Sequence, residues 1–328
     1  MVFLNILILV VGFVALIKGA DFFVDGSASL ARIFRVPAMI VGLTVVAMGT
    51  SAPELAVSTL AAVEGSNEIA FSNVVGSNIF NLLMVLGVCA VVRAIPVDGK
   101  ALRKDFTVVM VPTVALFLLM GGWRLFGGEL FHVSMASVAG TVTRPIALGL
   151  LAIFAGYIFL LIREAKKSRA EEESSVGNEK YTKGKCALII VIGAVMIIAG
   201  GQAVVYSAKE IARALGMTET LIGLTVVSVG TSLPELVTSL VAARKQETDL
   251  AVGNVIGSNI FNLLMILGVS AAIHPVAVNV ASVWDLLLLI TVTAVTWFFA
   301  RTGSKITRAE GIYMVLAYAG IVAFAIIR

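Results

Sequence analysis

Histidine and cysteine are almost missing from the 328 residues, with two of each. His132 and His274 stand far apart with no metal-ligand spacing and no HExxH pattern, so no zinc site or intramembrane metalloenzyme is expected. Cys89 and Cys186 lie inside apolar runs; they define no disulfide framework and read as small buried side chains. Charge is scarce as well, at 13% of residues against 59% hydrophobic, where soluble domains carry roughly a quarter charged. With a mean hydropathy of +1.03, a water-soluble enzyme is excluded and the lipid bilayer becomes the expected partner. The net charge of +4 is too small to argue for nucleic acid.

What is present is a series of apolar runs of spanning length, about 20 residues each. They fall near 2–31, 37–63, 69–92, 105–122, 145–162, 186–212, 217–243, 249–273, 284–300 and 309–327. No basic residue precedes Lys18, unlike the positive start of a secretory signal, so the first run reads as a transmembrane helix. The expected fold is an all-α integral membrane protein with ten transmembrane helices. A charged linker over 163–185 separates residues 1–162 from residues 186–328, with five runs in each part. The stretch from Gly121 to Thr143, with Trp123, Phe126 and Phe131 among glycines, reads as interfacial or as a loop. Counting Lys and Arg on alternate sides gives 18 against 4. By the positive-inside rule the linker is expected to be cytoplasmic and both termini outside, in a cell membrane.

The two parts are copies. Residues 42–62, GLTVVAMGTSAPELAVSTLAA, match 223–243, GLTVVSVGTSLPELVTSLVAA, at 14 of 21 positions, and residues 73–88 match 254–269 at 14 of 16, both at an offset of 181. Five spans is an odd number, so the copies should lie upside down relative to each other as inverted five-helix repeats. That construction places a substrate site at the midplane between discontinuous helices.

The copied segments are also the polar ones. Pro53 and Pro234 interrupt helices at GTSAPE and GTSLPE, leaving carbonyls at the negative end of a half-helix, which favours cations. Beside them sit Thr50, Ser51 and Glu54, with Thr231, Ser232 and Glu235 as copies. An ionisable residue at the centre of a membrane helix costs ~2.5–3.5 kcal/mol or more and is by default a functional group. Asn73, Ser77 and Asn81, at i, i+4 and i+8, form a polar stripe copied as Asn254, Ser258 and Asn262. Ser77, Asn81, Ser258 and Asn262 read as ligands ahead of Asn73 and Asn254, while Gly76 and Gly257 should allow close backbone approach. Such oxygens suit Ca²⁺ and alkali ions. Two carboxylates balance one Ca²⁺, two monovalent cations or two protons. Asp21 and Asp25, whose copies are Gln202 and Tyr206, read as partners for Lys18 or as polar groups of the first helix. Lys209 and Glu210 read as snorkelling charges.

The paired GTSAPE and GTSLPE motifs, each followed by GSNIFN, resemble the two alpha repeats of the sodium/calcium exchangers, in the prokaryotic type, within the calcium/cation antiporter superfamily. The resemblance implies a secondary antiporter exchanging Ca²⁺ for Na⁺ by alternating access, with an H⁺-coupled Ca²⁺ antiporter as the alternative. It implies that Glu54, Glu235, Thr50 and Thr231 form the Ca²⁺ site. It further implies that Na⁺ uses these with Ser77, Ser258 and the carbonyls of Ala47 and Ser228, that Asn81 and Asn262 lie between, and that Ser51 and Ser232 are near neighbours. It implies also that the first and sixth helices slide across the rest. Some relatives carry aspartate where this chain has Asn262, which bears on the choice between Na⁺ and H⁺. No enzyme activity and no cofactor beyond the transported Ca²⁺ and Na⁺ are expected, and a monomer should suffice.

Overall fold

A computed structural model describes residues 2–65, 67–97, 101–171, 182–217 and 228–327. The middle of the expected linker, the first part of the expected seventh span and the opening of the second GLTVV copy lie outside the described residues. The fold is mostly helical. Helix α1 (Val2–Phe34) runs 33 residues without proline, a length of about 50 Å at 1.5 Å per residue. It ends where Arg35 takes φ 52° ahead of Val36 and Pro37, because a residue before proline is driven out of the helical region. A broken helix follows: α2 (Ala38–Val41), a π-helical turn over Gly42–Val46, α3 (Ala47–Thr50) and α4 (Ala52–Val63). It bends by 50° between Thr50 and Ala52.

Next come α5 (Asn67–Phe80), a π-helical turn over Asn81–Val85 and α6 (Leu86–Val92), which together form one continuous rod. Strand β1 (Ile95–Pro96), α7 (Ala101–Leu119), β2 (Val138–Val142) and α8 (Arg144–Glu171) complete the first part. The second part repeats the order. It runs through α9 (Lys183–Ala214), α10 (Ser228–Thr231), α11 (Leu233–Arg244), α12 (Thr248–Ile260), a π-helical turn over Phe261–Ile266 and α13 (Leu267–Ile273). Strand β3 (Val276–Asn279), α14 (Val280–Arg301), β4 (Lys305–Ile306) and α15 (Arg308–Ile327) follow. Helices α4 and α11, and again α6 and α13, correspond residue for residue at the repeat offset.

By length and composition six described helices can cross a membrane, and the bent pair Ala38–Thr50 with Ala52–Val63 makes a seventh. The other three expected spans correspond to α7, α15 and the broken pair α10 and α11. The polar Gly121 to Thr143 stretch forms two 3₁₀ turns and strand β2, with Trp123 and Phe126 exposed. Helix α8 extends past the expected end at residue 162 to Glu171, because Arg163 to Ala170 is rich in Lys, Arg, Glu and Ala, all good helix formers.

Packing places apolar side chains outward and polar ones at the centre. Helices α1 and α9 present Phe3, Leu7, Val14, Leu188, Val191 and Val195 at the surface, as lipid-facing helices do. The α5 and α12 rods are mostly buried. Helices α1 and α9 form the most extensive helix pair and cross antiparallel, Gly12 against Gly200 and Gly19 against Gly193. A Cβ on Gly193 would stand 2.7 Å from the Phe23 amide nitrogen and 2.8 Å from the Gly19 carbonyl, so glycine is required for this approach. The two parts also exchange partners: β1 pairs with β4 and β2 with β3, α15 packs on α6, and α8 packs on α13.

Candidate cation site

The site is built at two helix breaks. Ser51, at φ −83° and ψ 9°, separates α3 from α4, and Ser232, at −95° and 8°, separates α10 from α11. Pro53 and Pro234 fall in the first turn of the following helix, where a missing N–H costs little. Glu54 and Glu235 sit in those same first turns, at the helix end that stabilises a carboxylate. Ser51 N donates to the Ala47 carbonyl at 3.0 Å, and Thr50 Oγ1 lies 3.3 Å from the same oxygen. Of the expected backbone ligands, Ala47 is therefore already engaged, and Ser228 opens α10.

The two breaks are cross-linked reciprocally. Ser51 Oγ donates to Glu235 Oε1 at 2.7 Å, and Ser232 Oγ donates to Glu54 Oε1 at 2.9 Å. Ser77 Oγ lies 3.1 Å from Ser232 Oγ. Thr50 Oγ1 lies 3.0 Å from Asn254 Oδ1. Thr50, Ser51, Glu54, Ser77, Asn81, Thr231, Ser232, Glu235, Ser258 and Asn262 are all buried. Among the described residues no Lys or Arg forms an ion pair with either glutamate. Glu54 Oε2, Glu235 Oε2, Thr231 Oγ1, Ser258 Oγ, Asn262 Oδ1 and both amide atoms of Asn81 find no hydrogen-bond partner among the described residues. Buried polar atoms are normally satisfied, and unpartnered carboxylate, hydroxyl and amide oxygens are of the kind that hard cations take.

Asn73 and Asn254 do a different job. Asn73 Nδ2 donates to Ser58 Oγ and Asn254 Nδ2 to Ser239 Oγ, both at 2.9 Å, so each ties the second helix of its hairpin to the first. Gly257 packs against the backbone of Leu43, with a Cβ position 2.7 Å from the Leu43 Cα, whereas nothing described lies within 4 Å of the equivalent point on Gly76. The expected close approach is met at Gly257; the segment equivalent to Leu43 that would face Gly76 lies outside the described residues. Asp21 and Asp25 pair with Lys245, at 3.2 and 2.9 Å, instead of with Lys18. Sequence reasoning passed over Asn78 and Asn259, which fall one residue off the i, i+4, i+8 stripe; their presence in both GSNIFN copies was the available signal. Asn78 Nδ2 donates to the Asn259 carbonyl at 3.2 Å and Asn259 Nδ2 to the Asn78 carbonyl at 3.3 Å.

The sequence profile of the sodium/calcium exchanger protein family matches residues 4–163 and 185–327. Among curated relatives, the putative antiporter CaxA of Alkalimonas amylolytica is 34% identical over 94% of this chain and 95% of its own length. The sodium/calcium exchanger MaX1 of Methanosarcina acetivorans is 32% identical over 100% of this chain and 99% of its own. A solved structure of the sodium–calcium exchanger NCX_Mj, soaked with 2.5 mM Na⁺ and 10 mM Sr²⁺, superposes with a TM-score of 0.81 at 29% identity. That match covers 98% of this chain and 99% of the other. A profile match over nearly the whole length, joined to a buried oxygen site at two matching helix breaks, makes this membrane antiporter chain a member of the sodium/calcium exchanger family.

Proposed function

We propose that the protein exchanges Ca²⁺ for Na⁺ across a cell membrane by alternating access, with Glu54, Glu235, Thr50 and Thr231 holding Ca²⁺. Na⁺ uses these residues together with Ser77, Ser258, Asn81, Asn262 and backbone carbonyls, and Ser51 and Ser232 orient the two carboxylates. The observation that carries this reading is the pair of buried glutamates, each held through one oxygen by a serine and, among the described residues, with no basic partner and no hydrogen bond at the other oxygen. Their combined charge of −2 is balanced by one Ca²⁺ or by two monovalent cations. An unloaded pair in low dielectric is costly, so the loaded protein changes its facing and the empty one does not.

The proposed architecture is ten spans in two inverted repeats, residues 1–162 and 186–328, with the linker 163–185 cytoplasmic and both termini outside. It is supported by α1 and α9, which are equivalent helices and run antiparallel; copies related in that way share an axis perpendicular to both. Na⁺ is favoured over H⁺ because Ser258, Asn81 and Asn262 supply neutral oxygens with no protein partner, which sodium ions use and protons do not need. In Ca²⁺-loaded proteoliposomes, external Na⁺ at fixed pH should release Ca²⁺. Release on an external pH drop and not on Na⁺ replaces this reading with the proton-coupled one.

A further inference from the structure

The central helices α5 and α12 are joined by a clasp of amides whose bonds have a direction. Asn78 Nδ2 donates to the backbone carbonyl of Asn259, which fixes the Asn78 amide: turning it over would set its oxygen against that carbonyl. Asn78 Oδ1 is then presented to Asn262 and accepts from Asn262 Nδ2 at 3.1 Å. One of the two N–H groups of the Asn262 amide is thereby engaged, and among the described residues Oδ1 is left as the end without a partner. The π-helical turn that carries Asn262 packs against α4, whose first turn holds Glu54. Asn78, Asn259 and Asn262 are fully buried, so water does not compete for these bonds.

The copy on the other side is different. Asn259 Nδ2 donates to the Asn78 carbonyl, but Asn259 Oδ1 receives no donor, and Asn81 has neither amide atom engaged. The two equivalent amides of the site are therefore unequal: Asn262 is held through Nδ2, and Asn81 has no such bond among the described residues.

We infer that Asn78 is a positioning residue for cation binding: it locks the Asn262 amide so that Oδ1, and not the NH₂ group, is offered to the ion. The inference rests on the cation-exchange reading. Asn259 provides its own control: Asn259→Ala deletes the bond to the Asn78 carbonyl, Asn78→Ala deletes the equivalent bond to the Asn259 carbonyl and in addition the bond from Asn262, and only Asn78→Ala releases Asn262.

The test is ⁴⁵Ca²⁺ binding to the purified full-length protein, with Na⁺ competition, alongside ion-free melting temperature. Asn78→Ala should lower the affinity for the competing Na⁺ or for Ca²⁺ by about tenfold, the factor set by ~1.4 kcal/mol, while Asn259→Ala stays within about twofold even though its melting temperature also falls. In an Asn262→Ala background Asn78→Ala should have no further effect on affinity, the non-additivity of residues acting through one contact. If Asn78→Ala does not yield folded protein, Asn78→Ser against Asn259→Ser carries the same comparison. Equal affinity losses at 78 and 259, no loss at 78, or additive losses with Asn262→Ala would overturn the inference. A wild-type protein that binds neither ion would overturn the exchange reading itself, so the two failures are distinguishable.

Discussion

Each glutamate of the site is held by a serine from the opposite helix break, and that reciprocity decides what single substitutions do. Ser51→Ala removes the donor to Glu235, and Ser232→Ala removes the donor to Glu54. A hydrogen bond to a charged acceptor contributes about 1.5–3 kcal/mol, so each variant should weaken apparent Ca²⁺ affinity about tenfold or more, read as the KM for ⁴⁵Ca²⁺ uptake. Ser232→Ala should be the more severe, because it also loses Ser77. Glu54→Gln and Glu235→Gln should abolish exchange while leaving a folded, membrane-inserted protein, since the amide keeps the shape and removes the charge. At this scale the sequence singled out the two glutamates as candidates, because a carboxylate in an apolar run is expensive wherever it points. It did not disclose partners. Lys245 binds Asp25 across 220 residues, and the Asn78 to Asn262 bond spans 184; a position in a repeat says nothing about which copy a side chain reaches across to.

Helix α1 meets α9 through glycines on both sides, among them Gly12, Gly19, Gly193 and Gly200, and at these the approach includes backbone against backbone. Gly193→Ala places a methyl group 2.7 Å from the Phe23 nitrogen, where no side chain can move aside. Overpacking of this kind typically costs ~1–3 kcal/mol, so the variant should melt lower in detergent and exchange more slowly. Gly156→Ala, on α8 with nothing within 4 Å of the new Cβ, should be unchanged on both counts. Equal behaviour of the two variants would mean that the α1 and α9 seam is not under steric constraint. The helix breaks were legible from Pro53 and Pro234, whose missing N–H leaves few alternatives. The π-helical turns over Gly42–Val46, Asn81–Val85 and Phe261–Ile266 were not, because widening by one residue per turn leaves the hydrophobic pattern almost unaltered. Nor was the continuation of α8 to Glu171, since the charged composition that ends a membrane span is also good helix-forming sequence.

Across the molecule the two parts interlock: strands pair between them, and the last helix of each part packs on the other part. Neither part is complete by itself, and a count of apolar runs says nothing of the partnership between them. The proposed orientation predicts that an impermeant thiol reagent applied to intact cells labels Ser134→Cys, in the loop before β2, and spares Lys166→Cys near the end of α8. The reverse pattern would turn the molecule over. The central claim, that two buried carboxylates and their neutral neighbours carry Ca²⁺ one way and Na⁺ the other, is tested most directly by ⁴⁵Ca²⁺ uptake into proteoliposomes loaded with either Na⁺ or K⁺ at equal pH. Uptake should require internal Na⁺ and vanish in both Glu54→Gln and Glu235→Gln; uptake that is equal with K⁺ inside, or that survives either substitution, would contradict the account.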